Sequence, residues 1–164
     1  MGSERESLRR ILRKADCSGR VIAHCDAVAD CAMEFTASSE VDGDLVLAGA
    51  MLHDIGRGVT HTIAHAQAGA DICRREGFSE EICRIVERHI GAGLSADECS
   101  LLGLAPRRCV PETIEEMIVA HADNLVRGTH RISIERRMLE SPDLPRRTRL
   151  RMYRLARRVD LFHR

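Results

Sequence analysis

Apolar residues recur at helical spacing along most of the chain. Leu8, Ile11 and Leu12 share one face of residues 4–15. Val21, Ile22, Cys25, Val28, Ala29, Ala32 and Met33 repeat in the same way, behind a Ser18 that can cap a helix to about residue 37. Leu45, Val46, Leu47, Ala48, Met51 and Leu52 follow Asp42, a second capping residue, and this run closes on His53 and Asp54. A helix over about 64–76 is stopped by Gly77. Ser79 caps the next, with Glu80 and Glu81 in the first turn where the helix dipole favours them, and it ends near His89.

Ser95 and Glu98 form a capping box for a short helix. Pro111 opens another, over about 112–128, with an extension to Leu139 left open. Pro142 and Pro145 set off a last helix at about 146–161. Sustained alternation and Asn-Gly or Asp-Gly hairpin turns are missing, so strands are not expected. The pattern predicts an all-α fold, a single compact helical bundle over residues 1–164.

Composition narrows the function classes. The 164 residues carry 25 basic and 25 acidic side chains, so no net charge draws the chain to nucleic acid or a membrane. Aromatics make up 2%, which argues against a base-stacking surface. No apolar run reaches the ~18 residues of a spanning helix, and no signal peptide is visible. The seven cysteines include no Cys-x-x-Cys pair and read as reduced apolar residues of a cytoplasmic protein.

Against this background the ionisable residues stand out. His24 lies inside an apolar helix, and His53 and Asp54 end the next. His61 and His65 flank the start of the fourth, His89 ends the fifth, and Asp123 sits in the apolar "MIVAHADNLV". Buried carboxylates and imidazoles need partners. Imidazole nitrogen with carboxylate oxygen is a donor set for first-row divalent cations, and helical bundles build such sites from facing helices. "HTIAH" has Thr62 where the general-base Glu of a zinc-protease helix would stand, which excludes that reading.

His24, "HDIGR" and Asp123 in "AHADNLV" together resemble the H…HD…D signature of the HD superfamily of metal-dependent phosphohydrolases, and "HDIGR" its HD-I-G subgroup. The resemblance covers about residues 17–131. It implies an HD-domain-like bundle with a metal held by His24, His53, Asp54 and Asp123. It also implies a second metal near His65 of "HAQAGADIC" and His89 of "ERHIGAG". In that subgroup the latter is often a His-His pair; here Ile90 follows His89, and His61, four residues before His65 and on the same face if the stretch is helical, is the candidate either to substitute or to bind phosphate. One or two transition-metal ions (Fe, Mn, Zn, Ni or Co, with Mg as an alternative) are the expected cofactor.

Such ions lower the pKa of bound water to near 7 and polarise phosphoryl oxygens. Asp54 has two oxygens for two ions, and Arg57 can meet a phosphate oxygen; these two are the catalytic candidates. Arg88, Asn124 and Arg127 are weaker rim candidates, while Glu87 and His121 are expected in supporting or surface roles. The expected activity is hydrolysis of a phosphomonoester or phosphodiester, of the nucleotide or cyclic phosphate class. The alternatives are a di-iron oxygenase of the HD type and a non-catalytic metal-containing module. At residues 142–164 Met152, Leu155, Val159 and Phe162 form one stripe, and Arg147, Arg151, Arg154 and Arg158 another. This predicts an amphipathic helix packed on the domain with a solvated arginine face; the alternative is that this face is a patch for a phosphate-rich ligand such as RNA or a nucleotide.

Overall fold

The computed structural model describes residues 2–38 and 40–162; the ends of the expected 1–164 domain and 142–164 helix lie outside the described residues. The chain folds as α1 (Gly2–Lys14), α2 (Gly19–Met33), α3 (Gly43–Leu52), a 3-10 turn (Ile55–Gly58), α4 (His65–Arg75), α5 (Glu80–Arg88) and α6 (Ala96–Leu101). There follow α7 (Ile114–Asn124), strands β1 (Val126–Arg127) and β2 (His130–Arg131), α8 (Ile134–Leu139) and α9 (Arg146–Phe162). The fold is all-α, as expected. Among the described residues no helix is long and apolar enough to cross a membrane.

Local chemistry sets most boundaries. Ser18, Asp42, Ser79 and Ser95 each accept a hydrogen bond from a first-turn backbone N–H, relieving donors that have no partner within the helix. The Ser95–Glu98 capping box is formed, and so is one at Thr113–Glu116 that the sequence reading passed over.

Three boundaries differ from expectation. The second helix ends at Met33 rather than about residue 37, with Glu34 as its cap. The helix expected from about 112 starts at Ile114, because the Thr113 cap overrides Pro111 as the opening signal. That helix also stops at Asn124 instead of running to 128 or 139. The chain then turns back as a two-stranded antiparallel hairpin pairing Val126 with Arg131 and Arg127 with His130. Gly128 makes the turn with φ +61°, a conformation that disfavours side chains with a Cβ.

Helices α3 and α7 form the centre. α3 packs on α1, α2, α5 and α7, and α7 packs also on α2, α5 and α9. Val46, Leu47, Ala50, Met51, Leu52, Ile118, Val119 and Ala122 are fully or almost fully buried there. The seven cysteines are buried and free, filling space as small apolar residues. In α9, Met152, Leu155 and Val159 are buried while Phe162 stays partly exposed, and Arg147 and Arg151 pair with Glu98 of α6.

Candidate metal centre

Five helices and one turn deliver polar groups to a single point in this apolar centre. His24 lies in mid-α2, His53 caps α3, His65 begins α4, His89 caps α5, and Asp123 is the penultimate residue of α7. Asp54 joins α3 to the 3-10 turn. Gly56 explains why that turn meets α4: a Cβ there would lie 2.0 Å from the His65 carbonyl oxygen and 2.6 Å from the Gly69 nitrogen. The bare backbone lets the turn press on the first turn of α4, and His65 thereby reaches Asp54.

Each of the four histidines has its Nδ1 on a backbone carbonyl at 2.7 Å: His24 on Gly128, His53 on Ala50, His65 on Thr62 and His89 on Val86. A carbonyl can only accept, so Nδ1 carries a proton, and whenever the ring is neutral its Nε2 presents a lone pair. All four Nε2 atoms face acceptors. His24 Nε2 is 3.1 Å from Asp123 Oδ1, and His65 Nε2 is 3.0 Å from Asp54 Oδ1. His53 Nε2 is 3.6 Å from Asp123 Oδ1 and 3.8 Å from Asp54 Oδ2, and it is buried with no hydrogen-bond partner. His89 Nε2 is 3.7 Å from Asp54 Oδ1 and 3.2 Å from His65 Nε2.

Acceptors converging in a buried site need a positive charge among them, supplied by protons or by a cation. The donor atoms fall into two compact groups, His24–His53–Asp123 and His53–Asp54–His89, each within 4.8 Å. This donor set fits divalent cations, and the carbonyl-held Nδ1 atoms are the orienting contacts that metal-bound histidines use.

The electrostatics follow from the crowding. Burial raises the Asp54 carboxyl, but the imidazoles of His53, His65 and His89 outweigh it and hold the group well below the usual carboxylate range. Asp123 behaves alike: burial is overcome by the hydrogen bonds of His24 and His53. Burial, reinforced by the neighbouring His53 and His65 rings, pushes His89 down to about 4, so its ring is neutral at pH 7. His53 is pulled the other way, raised against its burial chiefly by Asp54.

The remaining candidates lie around this centre. Arg57 Nε donates to Asp54 Oδ2 at 2.9 Å and its Nη1 to the His61 carbonyl at 3.2 Å. His61 itself is exposed, in a bend before α4, so the one-face argument that linked it to His65 does not apply; it is not part of either donor group. Arg88 is tied to Glu112 and Glu116, and Arg127 to Glu140. Asn124 Nδ2 donates to the Gly91 carbonyl at 2.5 Å, fixing the loop after His89. Glu87 pairs with Arg107, and His121 packs edge-on against Phe35 with its ring pushed down to about 4 by burial. The sequence reading missed the carbonyl of Gly128. The Gly-Thr pair between Val126 and Ile132 was the turn signal that would have located it.

A family model described as HD domain matches residues 21–128. An uncharacterized protein of Methanocaldococcus jannaschii is 49% identical over 124 residues, 73% of each chain. A tRNA (cytidine(56)-2'-O)-methyltransferase of Thermoplasma volcanium is 49% identical over 125 residues, which are 76% of this chain and 37% of that one. The chain thus spans little more than a third of that relative's length. Among solved structures, the HD domain of the L. monocytogenes phosphodiesterase PgpH, in complex with cyclic-di-AMP, aligns with a TM-score of 0.56 at 18% identity, over 96% of this chain and 97% of that one. With the family model covering most of its length and the H…HD…D residues meeting in the core, the chain belongs to the HD domain family.

Proposed function

We propose that the chain is a metal-dependent phosphohydrolase acting on a phosphomonoester or phosphodiester of the nucleotide or cyclic phosphate class. The observation that carries this reading is the convergence of four carbonyl-oriented Nε2 atoms on the oxygens of Asp54 and Asp123. His24, His53 and Asp123 would hold one ion, and His65 and His89 a second. Asp54 stands between the two groups, Oδ1 toward His65 and His89 and Oδ2 toward His53. A divalent cation bound there supplies Lewis acidity toward a phosphoryl oxygen and toward water at neutral pH.

The chain's own residues do the rest. Asp54 and Asp123 stay ionised and offset the cationic charge. His89 stays neutral and keeps its lone pair available. Arg57 is held by Asp54 and the His61 carbonyl, which orients its guanidinium to receive a phosphate oxygen. The PgpH domain that shares this fold is a phosphodiesterase solved with a cyclic dinucleotide, which favours the phosphodiester branch. The methyltransferase name belongs to a protein matched over 37% of its length, and it is not carried over to this chain.

The test is a screen of phosphomonoesters, linear and cyclic phosphodiesters against Mn, Fe(II), Co, Ni, Zn and Mg, using chelator-treated protein. Cation-dependent release of phosphate or a nucleoside monophosphate is expected. Tight cation binding with no hydrolysis of any member would favour a non-catalytic module instead. Oxygen uptake with substrate would favour the di-iron oxygenase.

A further inference from the structure

The four histidines are not held alike. His53, His65 and His89 each donate Nδ1 to a carbonyl three residues earlier, in their own helix or turn: Ala50, Thr62 and Val86. These three contacts are local and persist wherever the helix persists. His24 has no such partner. Its Nδ1 donates to Gly128, 104 residues away, at the turn of the β1–β2 hairpin. We propose that this hairpin is a positioning element for His24, and that the turn at Gly128 sets the affinity of the His24–His53–Asp123 cation position alone. The inference rests on the metal reading above.

The hairpin is built to hold that carbonyl in place. Gly128 takes φ +61° in the turn, and its oxygen lies toward α2, 2.7 Å from His24 Nδ1. Arg131 of β2 pairs with Glu34, the cap of α2, at 3.0 Å, which ties the second arm to the helix that carries His24. Arg127 of β1 pairs with Glu140, the cap of α8. The Ile132 N–H donates to the Leu125 carbonyl at 2.8 Å and closes the base of the hairpin just after Asp123. One short ribbon therefore fixes the carbonyl for His24 and leaves α7 beside the second member of the same donor group. Losing the Gly128 contact frees the ring to take the other tautomer, with the proton on Nε2 where the lone pair must be. Contacts of this kind around metal-bound histidines are worth about ten- to a hundredfold in affinity.

The experiment separates backbone from side chain. A Cβ at Gly128 would meet nothing within 4 Å, so a substitution there acts through φ alone. Val strongly disfavours positive φ and Asn tolerates it. Cation content and affinity are measured with Mn(II) for wild type, Gly128→Val and Gly128→Asn, and the His24 tautomer is read from two-bond 15N–1H correlations on metal-free protein. In Gly128→Val, one of two Mn(II) equivalents should weaken about tenfold or more. The His24 signal should shift toward the Nε2–H form while those of His53, His65 and His89 stay put, and Gly128→Asn should restore both. Circular dichroism and melting establish that the variants fold. An unchanged His24 tautomer in folded Gly128→Val, or equal loss at both positions, overturns the proposal. Wild type that binds no Mn(II) while Gly128→Val shifts the tautomer would refute the metal reading but leave the hairpin's hold on His24 standing.

Discussion

His65 and His89 point their Nε2 atoms at each other across 3.2 Å, and both rings have committed the Nδ1 proton to a carbonyl. Two lone pairs at that distance repel unless something positive lies between them or one ring takes a second proton. His89 is held down at about 4, against a second proton at neutral pH. A divalent cation would satisfy both atoms together with Asp54 Oδ1, which is 3.0 Å from His65 Nε2 and 3.7 Å from His89 Nε2.

Adding Mn(II) or Zn(II) to chelator-treated protein should therefore raise the melting temperature, and chelation should reverse it. At a free cation concentration of 100 Kd the gain is about 2.7 kcal/mol. Differential scanning calorimetry with and without chelator checks this; identical melting curves would count against a cation site.

Substitution should divide the donors into two sets. His65→Ala or His89→Ala should lose one cation equivalent and keep the other, whereas His24→Ala should lose the opposite one. His61→Ala should change neither, because its ring is exposed, whereas that of His65 is buried against Asp54. Elemental analysis of the purified variants reads the stoichiometry directly.

Gly56→Ala should disorganise the centre without touching a donor. The new Cβ would sit 2.0 Å from the His65 carbonyl oxygen, so the turn and α4 must part. The cost should be at least the ~1–3 kcal/mol of an overpacked core, with His65 drawn away from Asp54. Urea denaturation should report the loss, and cation affinity should fall with it.

What was legible in the sequence was local. The side chains of Ser18, Asp42, Ser79 and Ser95 cap the turns that follow them, so helix starts could be read within four residues. The Gly56 requirement is written in "HDIGR", though its reason, the carbonyl of His65, lies in the next helix. Long-range effects were not legible. α7 ends at Asn124 because the Leu125 carbonyl is taken by Ile132 and the chain reverses at Gly128, a pairing no helical periodicity announces. His61 looked like a neighbour of His65 at four-residue spacing, but Thr60 and Thr62 bond to each other and their neighbours, and the helix begins only at His65.

The α6–α9 junction makes a pH prediction. Glu98 accepts a two-pronged contact from Arg151 at 2.9 and 3.0 Å, a bond from Arg147 at 2.9 Å and one from the Ser95 N–H. Burial opposes ionisation here, but these donors win and lower the carboxyl to about 2. A carboxyl lowered on folding stabilises the protein above its unfolded value near 4.5, and that contribution is lost as pH falls toward 2. Glu98→Gln should therefore reduce stability at pH 7, and the gap from wild type should narrow steadily between about pH 4.5 and pH 2. Melting temperatures of both proteins across that range provide the check; a gap that widens on acidification would contradict it.

Asp54 carries the central claim, since its two oxygens face both donor groups and Arg57 orients on it. Asp54→Asn preserves shape, removes a negative charge and replaces one acceptor oxygen with a donor. The deciding measurement is the cation-dependent hydrolysis rate of Asp54→Asn beside wild type, on the best phosphate ester from the screen, with circular dichroism on the same preparations. The account predicts an unchanged helical spectrum and a rate lower by about two orders of magnitude or more. A folded Asp54→Asn that hydrolyses the ester at near the wild-type rate would contradict it.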